Sequence, residues 1–126
     1  MRCPCRKKSE TTAYADCCEP FHTGRRSAPS PEVLMRSRYA AFVLENDRYL
    51  SDTWHISTRP QTIAFDPAQE WLALRIKDAH EAGEQGWVAF EARARVGGRT
   101  QVLKERSRFV RADGRWFYVD GDVERS

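Results

Sequence analysis

The chain predicts an α+β fold in which helices come first and pack on one antiparallel meander sheet, with a small cysteine-rich knuckle ahead of both. Three observations predict it. All four cysteines fall in the first eighteen residues, as Cys3-Pro4-Cys5 and Cys17-Cys18. From Val33 to Leu44 the apolar residues follow a helical spacing. From about residue 70 the period changes to two, interrupted by the turn-forming pairs Gly97-Gly98 and Asp113-Gly114.

The elements follow in order. Residues 1–26 are short on large apolar side chains and need a staple to hold a shape. Ser27-Ala28-Pro29-Ser30-Pro31 is a breaker, with Ser30 placed to cap a helix and Pro31 at its first position. That helix is expected over Pro31 to Glu45; its apolar residues cover most of its circumference, so it is largely buried. A shorter helix is expected over Asn46 to His55, with Tyr49, Leu50 and Trp54 facing inward. Residues 56–69, with Pro60 and Pro67, read as irregular with room for one helical turn.

Four strands are then predicted. Glu70–His80 places Leu72, Leu74 and Ile76 on one face. Gly86–Val96 points Val88, Phe90, Ala92, Ala94 and Val96 inward and Glu91, Arg93 and Arg95 outward. Thr100–Arg111 and Arg115–Asp120 complete the meander, and Asp120-Gly121-Asp122 reads as a turn. The chain thus divides into a knuckle, 1–26, and an α+β domain, 27–126.

A length of 126 residues with 40% hydrophobic and 11% aromatic content supports one ordinary core. No apolar run approaches the roughly 18 residues a membrane span requires. Met1-Arg2-Cys3-Pro4 leads into charged residues and not into a signal-peptide stretch. The expectation is a cytoplasmic protein with no membrane role, whose thiols stay reduced. Charge is uneven: residues 1–26 carry six Lys/Arg against three acids, which is the whole net charge of +3, and the remainder balances. Any attraction to an acidic partner centres on the knuckle.

Two close pairs of soft thiolates around a short loop suit one tetrahedral metal site, with zinc the expected ion. The expected ligands are Cys3, Cys5, Cys17 and Cys18, with His22, four residues beyond Cys18, as an alternative to one thiolate. A site closed by four protein ligands leaves no place for water or substrate, so it is structural.

Cys3-Pro4-Cys5 with Tyr14-Ala15-Asp16-Cys17-Cys18 resembles the SEC-C motif, the small zinc-binding tail of the SecA translocase motor. Met35-Arg36-Ser37-Arg38-Tyr39-Ala40-Ala41-Phe42, Tyr49-Leu50, Thr53-Trp54-His55, Glu105-Arg106-Ser107-Arg108-Phe109 and Trp116-Phe117-Tyr118-Val119-Asp120-Gly121 resemble the bacterial YchJ-like family of uncharacterised proteins. The resemblance implies a nuclear-transport-factor-2-like middle domain, a cone of helices on a curved antiparallel sheet. It departs at two places. The motif's Gly-Ser-Gly after the first cysteine pair is here Arg6-Lys7-Lys8, in a longer loop, and no second SEC-C motif follows at the C-terminus.

Cones of this type use their interior as a pocket, so inward charges are informative. Glu105 shares a strand face with Leu103, Ser107 and Phe109, and Arg36 falls inside the apolar surface of the long helix; they are the expected buried pair. Arg38 and Glu45 share a polar stripe and are expected to be solvated. Pocket candidates are Arg36, Tyr39, Trp54, His55, Glu105 and Asp120. Arg93, Arg95, Arg106 and Arg108 read as a solvated charge face on the outside of the sheet.

Three functional readings result. The first is a zinc-bearing interaction module whose knuckle contacts a protein partner, with the cone as scaffold. The second is a cone that binds or transforms a small molecule using Glu105 and Arg36. The third is nucleic-acid binding through the basic knuckle, disfavoured by the low net charge and by having only Tyr14 and Phe21 there for stacking. The chain has no nucleophile motif, phosphate loop or catalytic metal triad, which weighs against an enzyme.

Overall fold

The computed structural model of the chain describes residues 1–7 and 9–125; Lys8, last of the three residues that replace the motif's Gly-Ser-Gly, and Ser126 lie outside the described residues. A short 3-10 turn, Tyr14–Asp16, precedes helix α1, Glu19–His22. Helix α2 follows as Pro31–Val43 and α3 as Asp47–Asp52. The strands are β1, Gln69–Ala82, β2, Gln85–Val96, β3, Arg99–Ala112, and β4, Arg115–Arg125. They pair antiparallel in chain order. No helix of the described residues is long and apolar enough to cross a membrane.

Helix α2 begins as its sequence predicts. The Ser30 hydroxyl accepts a hydrogen bond from the Val33 N–H at 3.2 Å, ahead of Pro31 in the first turn. It stops two residues early because Glu45 adopts a left-handed φ of 55°. The Asn46 N–H then donates to Ala41 O and the Glu45 N–H to Phe42 O, the paired bonds of a Schellman ending. Asn46 at once caps α3, accepting from the Tyr49 N–H at 3.1 Å. α3 stops at Asp52, short of His55, because β4 claims the next backbone groups: Tyr118 N–H donates to Thr53 O at 2.8 Å, and His55 N–H to Tyr118 O at 2.7 Å. In place of the helical turn expected in 56–69 there are two isolated hydrogen-bonded turns, Thr58 N–H to His55 O and Gln69 N–H to Asp66 O.

Val88, Phe90, Ala92 and Ala94 are buried, as the alternation of β2 predicts, and Phe109 joins them from β3. Three register shifts interrupt the pairing, at Trp71/Ala73 and Ile76/Asp78 in β1 and opposite Arg108/Phe109 in β4, and the first and last change which neighbours accompany them. In β1 a register shift between Trp71 and Ala73 pairs Trp71 with buried Ala94. Trp71, and not Leu72, therefore packs on the helix, its ring 5.8 Å from Tyr39 and 6.2 Å from Phe42. In β4 an extra residue, Val119, separates Tyr118, paired with Phe109, from Asp120, paired with Arg108. Asp120-Gly121-Asp122 is strand, not turn. Bulges of this kind bend a strand, and the sheet curves around α2.

The start of α2 rests on Gly86. A β-carbon there would lie 2.6 Å from Pro31 Cγ and 3.0 Å from His80 O, a rigid ring and a backbone atom. Gly86 does not have a positive φ, so alanine adds volume without backbone strain. Gly86→Ala is expected to destabilise the chain by about 1–3 kcal/mol through overpacking, read from urea unfolding midpoints; an unchanged midpoint would show that this seat is loose.

Candidate metal centre

The knuckle is organised by a miniature hairpin. Cys3 N–H donates to Thr12 O at 2.9 Å and Tyr14 N–H to Met1 O at 2.8 Å, with Arg2 bridged to Ala13. This lays Cys3-Pro4-Cys5 beside the 3-10 turn, whose end delivers Cys17; Cys18 is the N-cap of α1. The Sγ atoms of Cys5 lie 3.6 Å from Cys3, 3.6 Å from Cys17 and 3.7 Å from Cys18, and Cys17 and Cys18 are 3.9 Å apart. All four lie within 4.8 Å of one another. A metal–sulfur distance of about 2.3 Å sets a tetrahedral sulfur–sulfur edge of about 3.8 Å. The four thiols thus have the spacing of a closed tetrahedral cage, and every cysteine is free.

The electrostatics agree with that chemistry. Cys3, Cys5 and Cys18 are buried and Cys17 is half-buried. Hydrogen bonds from Cys18 and then Cys5 hold the Cys3 thiol well below its ordinary range, while the same contacts with Cys3 and Cys5, and burial, push Cys18 far above it. Four thiolates cannot share this space unaided; a cation has to displace the protons. Arg6 supplies part of the compensation, its Nε donating to Cys17 Sγ at 3.3 Å while its guanidinium lies 3.5 Å from Glu10.

The first of the replaced glycines is accommodated. Among the described residues the non-glycines with positive φ are Glu45 and Asp113, so Arg6 and Lys7 need no glycine conformation. Arg6 N–H closes the turn onto Cys3 O at 3.1 Å, and Arg2 Nη1 braces it from outside through Arg6 O at 2.6 Å and Lys7 O at 3.0 Å.

Two side chains join the knuckle to α2. Arg36 Nη1 donates to Cys5 O at 3.1 Å while its Nε donates to Glu32 at 3.2 Å. His22 Nε2 donates to Ser37 O at 2.7 Å; a carbonyl only accepts, so this nitrogen carries the proton and Nδ1 accepts from the Tyr14 hydroxyl at 2.6 Å. Both ring nitrogens are engaged, so His22 is a strut and not the alternative ligand. Arg36 does not meet Glu105: its side of α2 is covered, as its position in the apolar surface implies, but by the knuckle.

Between α2 and the concave face of the sheet lies a cavity of about 130 Å³. Of the pocket candidates, Tyr39, Trp54 and Glu105 line it, whereas Arg36, His55 and Asp120 do not. Its arginine is Arg38. That residue was expected in solvent, yet it is only 3% exposed because α3 and Tyr118 close over it. Its Nη1 donates to Leu50 O at 2.9 Å and Thr53 Oγ1 at 2.7 Å, and its guanidinium carbon sits 5.0 Å from the Trp54 ring centroid and 4.6 Å from that of Tyr118. Burial lowers its pKa to about 10, which leaves it charged at neutral pH. The Ser107 hydroxyl donates to the Glu105 carboxylate. Gly121 leaves room for that carboxylate, since a β-carbon there would lie 2.6 Å from Oε2.

His55 lies outside, hydrogen-bonded through Nδ1 to Ser57 Oγ at 2.7 Å. Asp120 is turned outward by the β4 bulge and pairs with Arg108 at 2.6 Å. The outer arginines are mostly matched by charge or ring: Arg95 by Glu70 at 2.8 Å, Arg108 also by Asp122 at 2.8 Å, and Arg106 by the Trp87 face at 4.1 Å. Sequence reasoning missed Arg6, Arg38 and Gly121. The available signal for Ser107 was its place two residues from Glu105 on the same strand face.

With the geometry in hand, the comparisons are informative. The family described as "YchJ, middle NTF2-like domain" matches residues 30–121. A UPF0225 protein of Polaromonas naphthalenivorans is 46% identical over 134 residues, covering 95% of this chain and 96% of its own. One from Cupriavidus metallidurans is 46% identical, covering 96% and 88%. The solution structure of a SEC-C motif containing protein from Rhodopseudomonas palustris is similar at TM-score 0.84 and 39% identity, over 97% of this chain and 98% of that one. A crystal structure of a SEC-C motif containing protein from Psychrobacter arcticus is similar at 0.80 and 26% identity, over 100% and 84%.

Burial raises the Glu105 carboxyl above its ordinary value. The native state therefore holds this proton more tightly than the unfolded chain, and the associated stability is present in acid and lost as pH rises through the raised folded value. Glu105→Gln removes that loss, so its stability relative to wild type is expected to improve from pH 4 to pH 7. Paired urea titrations at the two pH values check this; a difference that does not change with pH would place Glu105 in an ordinary solvated setting.

Proposed function

We propose, for a chain that belongs to the YchJ-like family, that it is a zinc-structured interaction module: the four-thiolate centre is structural, and the surface beside it receives an acidic segment of a protein partner in the cytoplasm. The observation that carries the reading is the sulfur spacing, 3.6–3.9 Å along the close edges, against the roughly 3.8 Å of a zinc tetrathiolate. Soft thiolates with no oxygen ligand favour zinc over hard cations such as magnesium and calcium. When bound, the ion supplies cross-linking of the knuckle and no reaction step. Cys3, Cys5, Cys17 and Cys18 would hold it, Arg6 would offset the surplus negative charge at Cys17, and Arg36 and His22 would seat the loaded knuckle on α2.

Support for partner contact comes from the adjoining surface. A groove of about 550 Å³ runs between α1, α3 and the start of β4, with Phe21, Tyr49 and Trp116 along it and Arg26, Arg48 and Arg115 at its edges. Trp116 Nε1 is buried there without a hydrogen-bond partner. Arg48 is matched by Asp52 at 3.8 Å, but Arg26 and Arg115 have no acidic partner among the described residues, and a mostly polar groove with these two cations and an aromatic floor suits a short acidic segment.

Elemental analysis of the purified chain is expected to give one zinc per chain, and Cys5→Ser to lose most of it; wild-type protein without stoichiometric zinc would remove the premise. For the partner, cross-linking followed by pull-down is expected to recover a protein bound by wild type and lost by Arg26→Glu with Arg115→Glu, at unchanged zinc content. Equal recovery by both would contradict the assigned surface.

A further inference from the structure

We infer that the cavity inside the cone is a second site, which binds a small organic acid bearing a hydroxyl or amino group, its carboxylate held by Arg38 and the Trp54 indole N–H and its donor group by Glu105. The cavity's size limits the ligand. About 130 Å³ is close to the cavity of roughly 150 Å³ that accepts a benzene-sized molecule, so the ligand has about six heavy atoms. Phe42, Trp71, Phe90 and Leu103 give it apolar walls.

The polar groups define the rest. Arg38 is 3% exposed, yet among the described residues no carboxylate lies within salt-bridge distance, and its Nε and Nη2 make no hydrogen bond. The Trp54 indole Nε1 is buried without a partner. Both groups only donate, and both line this cavity. The buried indole N–H left unpaired costs stability that an acceptor would recover. Glu105 lines the cavity too, but its carboxylate is held by the Ser107 hydroxyl and does not close onto Arg38. The cavity therefore offers donors and an acceptor to one ligand. A plain hydrocarbon would leave the Trp54 indole N–H and the two free Arg38 nitrogens without an acceptor, and a dianion would meet Glu105. A 2-hydroxy or 2-amino acid has an end for each.

This site is separate from the metal centre, since α2 turns Arg36 toward the knuckle and Arg38, two residues on, toward the cavity. Three probes of equal size separate the contributions: lactate, isobutyrate, which lacks the hydroxyl, and lactamide, which lacks the charge. In proton–nitrogen correlation spectra of the metal-loaded chain, lactate is expected to shift the Trp54 indole N–H saturably, with isobutyrate weaker and lactamide about tenfold weaker. Trp54→Phe identifies that signal by its disappearance. Ala92→Leu, and Leu103→Phe should the first fail to fold, fill the cavity and are expected to abolish the response. No saturable shift from lactate would overturn the proposal, meaning that water or the Tyr118 ring already satisfies the indole. Lactamide binding as well as lactate would overturn the role of Arg38, and an undiminished response in a folded cavity-filled variant would overturn the location.

Discussion

Four thiols are crowded into one buried space with the spacing to hold a single cation, and residues 1–26 are organised around them. Cys3, Cys5 and Cys18 are as buried as the leucines of the core and belong to the same apolar cluster as Leu34 and Met35. Residues 1–26 have little apolar surface with which to hold themselves against α2. What they have instead is a sulfur cage, and two contacts that depend on its shape: Arg36 to the Cys5 carbonyl and His22 to the Ser37 carbonyl. Each joins a side chain of one partner to a backbone carbonyl of the other, which makes the knuckle's seat a matter of geometry more than of buried area.

Helix α2 is the common wall of everything else. One side meets the knuckle; another meets the curved sheet through Tyr39, which packs on Trp71. Its first turn is seated on Gly86, and its end is closed by Glu45 in a conformation that glycine would adopt more readily. Arg38 extends from α2 to the C-terminal carbonyls of α3, a favourable place for a cation, and is sandwiched between Trp54 and Tyr118. A single residue thus ties α2, α3 and β4 together, and among the described residues no carboxylate lies within salt-bridge distance of it.

Much of this was legible in the sequence. Ser30-Pro31 marks the start of α2 because the cap and the proline are local chemistry. The alternation in β2 reads directly as burial because β2 itself carries no bulge: the shifts in its pairing with β1 fall on β1, and its pairing with β3 is regular. The cysteine pairs announced their cage by type and spacing. Two kinds of fact were not legible. A bulge shifts alternation by one residue, so Trp71 replaced Leu72 inward and Asp120 went outward; no local signal in β1 or β4 marks either bulge. Helical spacing shows that a side is covered without showing by what, so Arg36 was paired with Glu105 when the knuckle covers it, and Arg38 was left in solvent when α3 folds over it.

On the proposed reading the loaded cysteine cage supports α2 and is not a detachable ornament. Amide hydrogen exchange of the full chain before and after treatment with a chelator tests this. Protection is expected to fall beyond the knuckle, in the first half of α2 around Leu34 to Ser37, while the strand hairpins far from the knuckle lose least. Loss of protection confined to residues 1–26, with α2 unchanged, would contradict it.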